Sequence, residues 1–539
     1  MATKGGNKAP AENTATWWYA KTRFDKETEN YSLVKDSVEI DLVDFLQWLY
    51  DSGFRYTKIY ENGILFRVEN NRILREVEVA EVRQYVVRHI QQLPAELPIS
   101  DLRGEITGTI PSKILLTKII KGVSFYFDTK KLEAYLAPRD TFTMCQDTAT
   151  DKYVYFTNGY MHITRRGIEF MPYTQLPGYI WHSEIIQQQY VPELGPDPNA
   201  QGVVRRFFQL IAADSSLAEA DRAQRMVDLC TIAGYLCHSY TDYKLQAVLL
   251  TDSRIGESNE PNGRSGKTLF MRLCSGLLCP DPARPDKTSV EISGKNFDPT
   301  DPFRYGNSGV SHETKLITLN DVKRGFKTEC LFNDITDGLQ VNKKNQQPFK
   351  ILAKMAVVSN MSIELGGDSN KDRFCVFEFS SYFHVGHDPG TEFKEPGAAK
   401  KYWFFKDFDT REWCRYYHFM AQCVQCFFQN NNQLPQPRSI NYEARTLKEH
   451  VPAELVEWIE AELQPVPRQW YETKEIHRLF VQSYPDFEKI KQAKFTEWLK
   501  KYMRYSPQWA EYVQATNFRR DSTGRREICF IKDENEIPF

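Results

Sequence analysis

The chain has 539 residues, a net charge of −2, and 41% hydrophobic and 13% aromatic residues. That length allows roughly three or four domains, and that balance excludes both a largely disordered chain and one drawn to nucleic acid by overall charge, so any DNA contact must come from local basic surfaces. No apolar run approaches the roughly 18–20 residues that cross a bilayer, and eleven scattered cysteines without a secretory leader read as free thiols in a reducing, cytoplasmic compartment.

Residues 1–16, mostly Ala, Gly, Asn, Thr and Lys, predict a disordered tail. A mixed α+β region is expected over 17–195. Within it, DLVDFLQWLY (41–50) has the spacing of an amphipathic helix. Residues 54–68 alternate as a hairpin turning at Glu61-Asn62-Gly63, and 77–90 is again helical. Paired strand acids with a histidine, the set a primase needs, are not found; Asp128 in FYFDT reads as a strand-end or cap residue. The 152–185 stretch is strand-rich, with turns at Asn158-Gly159 and Arg166-Gly167. Prolines between 192 and 198 mark a break. Residues 196–242 then read as a helical linker domain, with Phe207, Phe208, Leu210 and Ile211, and later Met226, Leu229, Ile232 and Leu236, at helical spacing.

An α/β core is expected over 243–385. An apolar strand (245–250) leads into GESNEPNGRSGKT (256–268), and a helix (269–278) follows. Strand, glycine-containing turn and helix opening on Lys-Thr is the layout of a phosphate-binding loop: backbone N–H groups line a concavity and the helix N-terminus adds its dipole. ATP would be cradled by Gly263, Arg264, Ser265, Gly266, Lys267, Thr268 and Leu269, with Lys267 on the β- and γ-phosphates and Thr268 on Mg²⁺. Pro261 stands where the usual pattern has glycine, and Gly263 is the candidate replacement. A second buried strand (315–319) ends in Asn320-Asp321, placing Asp321 to hold Mg²⁺. A polar, basic hairpin (340–349) carries Lys343 and Lys344. A third strand (354–359) ends at Asn360, and Arg373 precedes a fourth strand (375–379).

Residues 386–440 predict a helical extension of that core. Its Cys423 and Cys426 form C-x-x-C inside an apolar helix with no second pair nearby, which favours packing over zinc. After the linker-like QLPQPR, residues 441–539 offer three helices and a strand pair, the parts of a winged helix. Lys494, Lys500 and Lys501 on the third helix and Arg519, Arg520, Arg525 and Arg526 on the wing supply the local positive charge of a duplex-binding module.

Taken together, the phosphate loop, strand plus acid (LITLNDVKRGF), basic hairpin and strand plus Asn (ITDGLQVNKKNQQPFKILAKMAVVSN), and Arg before a strand resemble the superfamily 3 helicases, which are AAA+ ATPases of viruses, phages and plasmids. With FTNGYMHI upstream, the arrangement over about 152–435 is most similar to the poxvirus- and phage-type primase-helicases of phages and integrated elements. The resemblance implies an ATP-dependent DNA helicase in the replication of such an element, in a bacterial host cell. It implies Asn360 as the sensor of γ-phosphate or water, and Arg373 as an arginine finger acting on a neighbouring subunit. It further implies a homo-oligomeric ring, most often a hexamer, in whose channel Lys343 and Lys344 grip single-stranded DNA. A separate primase or polymerase is a further partner to look for. The family usually has an acid where this chain has Asn320. That residue either orients water by hydrogen bonding or marks weak hydrolysis, and the latter would make the protein an ATP-binding ring that recruits other replication or defence proteins.

Overall fold

The computed structural model describes residues 16–531 apart from 28, 60–61, 70–71, 106, 140, 243–244, 256–263, 283–286, 296, 298–306, 324, 366–367, 385–386, 395–397, 507 and 510–517. The chain folds as two units, Met1–Cys145 with Met171–Ile185, and Gln146–Phe170 with Ile186–Phe539. No described helix is long and apolar enough to cross a membrane.

In the first unit, β1 (Trp18–Asp25) and β2 (Asn30–Ile40) pair antiparallel. The Asp41 carboxylate then accepts from the N–H groups of Val43 and Asp44, satisfying orphan donors at the start of α1 (Leu42–Asp51). The expected hairpin forms as β3 (Phe54–Ile59) and β4 (Asn62–Glu69), although residues 60 and 61 of its turn lie outside the described residues. With β5 (Ile73–Glu76) and β11 (Ile180–Trp181) they make a sheet of order β11-β5-β4-β3. Helix α2 (Val79–Gln92), the pair β6 (Glu96–Ser100) and β7 (Thr107–Pro111), and helices α3 (Ser112–Lys121), α4 (Val123–Tyr126) and α5 (Thr129–Tyr135) follow. Asp128 caps α5 by accepting from Lys131 N–H, and the residues before it are helical rather than extended. Trp17, Phe45, Leu49, Val82, Leu115 and Leu132 are central to this unit's core.

The strand-rich stretch β8 (Asp151–Phe156), β9 (Gly159–Thr164) and β10 (Ile168–Met171) divides the region expected as one over 17–195. Its sheet joins the second unit because Phe156, Met161 and Ile163 share a core with Phe207 and Leu229. Buried Asp147 also anchors it, accepting from Lys152 Nζ (3.1 Å) and from Ser239 Oγ (2.6 Å). The expected helices appear as α6 (Val203–Ala212) and α7 (Glu219–Cys237). The C-terminal carbonyls of α7 are met by the buried Lys354 ammonium, 2.8 Å from Tyr235 O and 2.5 Å from His238 O, where a cation complements the helix dipole.

The centre of the second unit is a five-stranded parallel sheet. Its strands are β12 (Ala247–Asp252), β13 (Ser289–Ser293), β14 (Leu316–Asn320), β17 (Lys354–Val358) and β18 (Phe374–Phe379), in the order β13-β14-β17-β12-β18. Strands of such a sheet read as continuous apolar runs because both faces are covered; every residue of β12 and β17 is buried. Helix α8 (Lys267–Ser275) follows β12. Between β14 and β17 lie α9 (Phe332–Thr336) and an antiparallel pair, β15 (Leu339–Val341) and β16 (Phe349–Ile351). Helices α10 (Asp368–Arg373) and α11 (Pro389–Glu392) flank β18 in sequence, and the long helix α12 (Thr410–Gln429) packs on α7. Cys423 and Cys426 lie in α12, Cys423 fully buried. The architecture is thus mixed α+β around a parallel sheet.

A second hydrophobic core in this unit joins Leu455, Trp458, Ile476, Phe480, Phe495, Leu499 and Ile528. It is built from α14 (Ala453–Trp458, continuing as a π-turn to Leu463), α15 (Thr473–Ser483), α16 (Gln492–Tyr505) and a three-stranded antiparallel sheet. That sheet orders β19 (Trp470–Glu472), β21 (Arg526–Cys529) and β20 (Phe518–Arg520) as β19-β21-β20. The preceding helix α13 (Tyr442–His450) is bonded to the parallel sheet, so the boundary expected at 440/441 falls inside a segment anchored on both sides.

Candidate nucleotide site

Parallel strands present their carboxyl ends along one edge, where ligands bind in open α/β sheets. Lys267, Thr268, Asn320, Asp321 and Asn360 all collect at that edge, because α8 starts there and β14 and β17 end there. Gly263 and Pro261 lie outside the described residues. Gly266 has φ of +93°, and a Cβ on it would sit 2.9 Å from Phe207 Cζ, so both backbone conformation and space call for glycine. Arg264 also has positive φ and is exposed; Ser265 is buried.

Lys267 does not extend to solvent. Its ammonium lies 2.5 Å from Asp252 Oδ1 and 3.0 Å from Ser265 Oγ, with the lysine side chain 5% and the aspartate 0% exposed. Burial pushes the Lys267 ammonium down from its ordinary range, against the opposing pull of Asp252. Thr268 is exposed and lines a cavity of about 240 Å³ with Arg272, Glu291, Thr318, Asn320 and Val358; Leu269 is half-buried against the core. Asp321, at φ +57°, forms an ion pair with Lys295 and accepts from Asn360 Nδ2 (3.3 Å). The strand-end acid and asparagine are thus in direct contact, and Asn320 donates to Glu291 Oε1 at 2.6 Å.

Arg373 lies at the opposite edge. The next residue, Phe374, pairs with Ala247 at the start of β12. At about 3.3 Å per residue, five steps place it roughly 17 Å from Asp252, beyond the reach of its own chain's Lys267. Its guanidinium sits over the Phe332 ring, 4.7 Å from the centroid. Lys343 and Lys344 occupy the turn joining β15 and β16, where Lys343 O accepts from Gln346 N and Lys344 is exposed.

The basic residues of the 451–530 module are arranged less uniformly than their sequence suggests. Lys501 turns inward, 2.5 Å from Glu364 and 3.1 Å from Glu497, so it fastens α16 to the loop after β17. Lys494 pairs with Glu497, Arg519 with Glu527 and Arg525 with Glu472. The cations of these three pairs are exposed, and such surface pairs are worth little, so the cations stay available to an anion. Lys500 lies over Phe518, Arg520 donates to Gly524 O, and Arg526 is exposed.

Four further residues stand at the site outside the sequence motifs: Asp252, Glu291, Lys295 and Arg445. Asp252 is two residues past the apolar run before the loop and is the one that local reading could have reached. Arg445, 1% exposed, donates to Thr251 Oγ1 (3.0 Å), Asp252 O, Asn360 O (2.5 Å) and Glu449 Oε1 (2.8 Å). Glu449 in turn accepts from Ser362 N and Oγ, both at 2.8 Å. Helix α13 is therefore pinned to the ends of β12 and β17 beside the loop.

No protein-family model matches the chain, and no curated protein matches it. Two solved structures that the chain matches are the A form apo structures of the NrS-1 C-terminal region. One has 12% identity and a TM-score of 0.37, covering 91% of this chain and 100% of that one. The other has 11% identity and a TM-score of 0.35, covering 90% and 98%.

Proposed function

We propose that the protein is an ATP-dependent DNA helicase of the superfamily 3 type, an AAA+ ATPase with a C-terminal winged helix, acting in the replication of a phage or mobile element. The observation that carries this reading is the convergence of Lys267, Thr268, Asp321 and Asn360 at one sheet edge. Gly266, at positive φ and with no room for a Cβ against Phe207, makes the turn from which the start of α8 would meet a phosphate. Lys267 would bind the β- and γ-phosphates after leaving Asp252. Thr268 and Asp321 would hold Mg²⁺, which neutralises charge on those phosphates when bound. Lys295 must first release Asp321, a small cost for a pair whose side chains are 63% and 40% exposed.

Arg373 supports a ring, a hexamer by resemblance. Placed at the far edge of the sheet, it can act on a γ-phosphate only in a neighbouring copy. The exposed turn with Lys343 and Lys344 suits single-stranded DNA, since backbone contact needs charge and no base reading. Asn320 motivates the second reading, a weakly hydrolysing ring that recruits other proteins.

The test is ATP turnover with and without single-stranded DNA, together with strand unwinding. We expect DNA to stimulate turnover and Lys267→Ala to abolish both activities. We expect Lys344→Ala to weaken DNA binding and to lower the salt slope by about 0.7 for each phosphate left without its cation. Unwinding by the Lys267→Ala protein sinks the helicase reading; binding of ATP without DNA-stimulated turnover selects the recruiting ring.

A further inference from the structure

We propose that Glu291 is the catalytic base of ATP hydrolysis and that Asn320, in the position usually acidic, is its positioning residue. This rests on the proposed function, since it assigns a role within the same site.

The argument begins with register. In the parallel pair β13–β14, Glu291 lies opposite Thr318 and Ser293 opposite Asn320. Side chains alternate between sheet faces, so Glu291, Ser293, Thr318 and Asn320 share one face. It is the face that meets α8: the cavity there is lined by Thr268, Met271, Arg272 and Ser275 from the helix and by Ser289, Glu291, Thr318 and Asn320 from the strands. Glu291 is the one carboxylate among the described residues lining that cavity. An asparagine amide is not a base near neutral pH, but it can donate. Asn320 Nδ2 does so to Glu291 Oε1 at 2.6 Å, which leaves Oε2 to accept from water. The other acids nearby are engaged: Asp252 holds Lys267, and Asp321 sits with Lys295 and Asn360. The carboxylate thus stands one strand across from Asn320, whose amide orients it.

In the step itself, the water oxygen bonds to the γ-phosphorus of Mg²⁺-ATP while its proton passes to a Glu291 carboxylate oxygen. The bond from the γ-phosphorus to the bridging oxygen breaks, and its electron pair leaves with ADP. Phosphate and ADP are the products, and Glu291 returns the proton to solvent.

The experiment uses the full chain with Mg²⁺, ATP and single-stranded DNA, and reads turnover, the affinity for a fluorescent ATP analogue, and the nucleotide retained after gel filtration. General-base removal typically costs about 100- to 10,000-fold. Glu291→Gln, a near-isosteric change at an exposed position, is therefore expected to lower turnover at least about 100-fold. Its affinity for the analogue should stay within about threefold, about 0.6 kcal/mol, and the retained nucleotide should be ATP. Returning a carboxylate in Glu291→Gln/Asn320→Asp should recover at least about tenfold, or 1.4 kcal/mol. Turnover of Glu291→Gln within about threefold of the unmodified chain overturns the assignment while leaving the phosphate loop intact, provided Lys267→Ala is inactive. Failure of the unmodified chain to bind the analogue instead removes the nucleotide site and this inference with it.

Discussion

Lys267→Ala is the natural probe of the proposed phosphate loop, and here it carries a structural cost that must be separated from lost chemistry. The Lys267 ammonium and Asp252 carboxylate face each other at 2.5 Å, with side chains 5% and 0% exposed. At an effective dielectric near 20, such a pair attracts by roughly 7 kcal/mol. Desolvation offsets most of that gain, so the pair adds little net stability, but deleting one partner strands the other and costs about 3–5 kcal/mol. Lys267→Ala leaves the Asp252 carboxylate buried, and Asp252→Asn leaves the ammonium buried. The double variant strands neither, so its cost should fall short of the sum by at least about 2 kcal/mol. A chain of two units need not unfold in one step, so the assay is native-state hydrogen exchange read on the amides of β12. Costs that add to within about 0.5 kcal/mol would refute the coupling. If it holds, the double variant is the proper background for testing the proposed role of Lys267 in ATP binding.

Two predictions concern stability elsewhere in the second unit. Burial, and then the Lys354 ammonium, push His238 down to about 3. Between its ordinary value near 6.5 and about 3, the unfolded chain binds a proton that the folded chain does not, so stability falls as pH drops through that window. Asp147 extends the trend to lower pH: despite its burial, Lys152 and Ser239 hold it below 3.8, and its contribution is lost as pH falls below that value. Thermal melts from pH 7 to 4 should show a declining midpoint, and His238→Gln should flatten the slope above pH 4; an unchanged slope argues against the assignment. At the contact between α7 and α12, a Cβ on Gly234 would lie 2.0 Å from Cys423 O and 2.5 Å from Cys423 C, both backbone atoms with little room to move. Gly234→Ala should therefore cost about 3 kcal/mol or more, read as a lowered melting midpoint. A midpoint equal to the parent's would mean that the helices part without penalty.

What was legible in the sequence was local. Apolar runs such as AVLL, KLITL and KMAVVS marked the buried strands to within a residue or two, since parallel strands covered on both faces must be apolar throughout. Asp41 marked the start of α1 because an N-cap works within three residues of its own position. The phosphate-loop layout likewise placed Lys267 and Thr268 at a helix start. The tertiary structure decided what lies across from each of these. Strand β13, in neither the apolar nor the turn pattern, places Glu291 against Asn320, 29 positions later. Arg445 reaches Asp252 across 193 positions, and residues 146–170 join a unit other than the one they follow. Such pairings depend on sheet order, register and burial, and the free energy of a buried ion pair or a shared core depends on distance in space. Spacing along the chain encodes the period of a helix or strand, but not which strand becomes its neighbour.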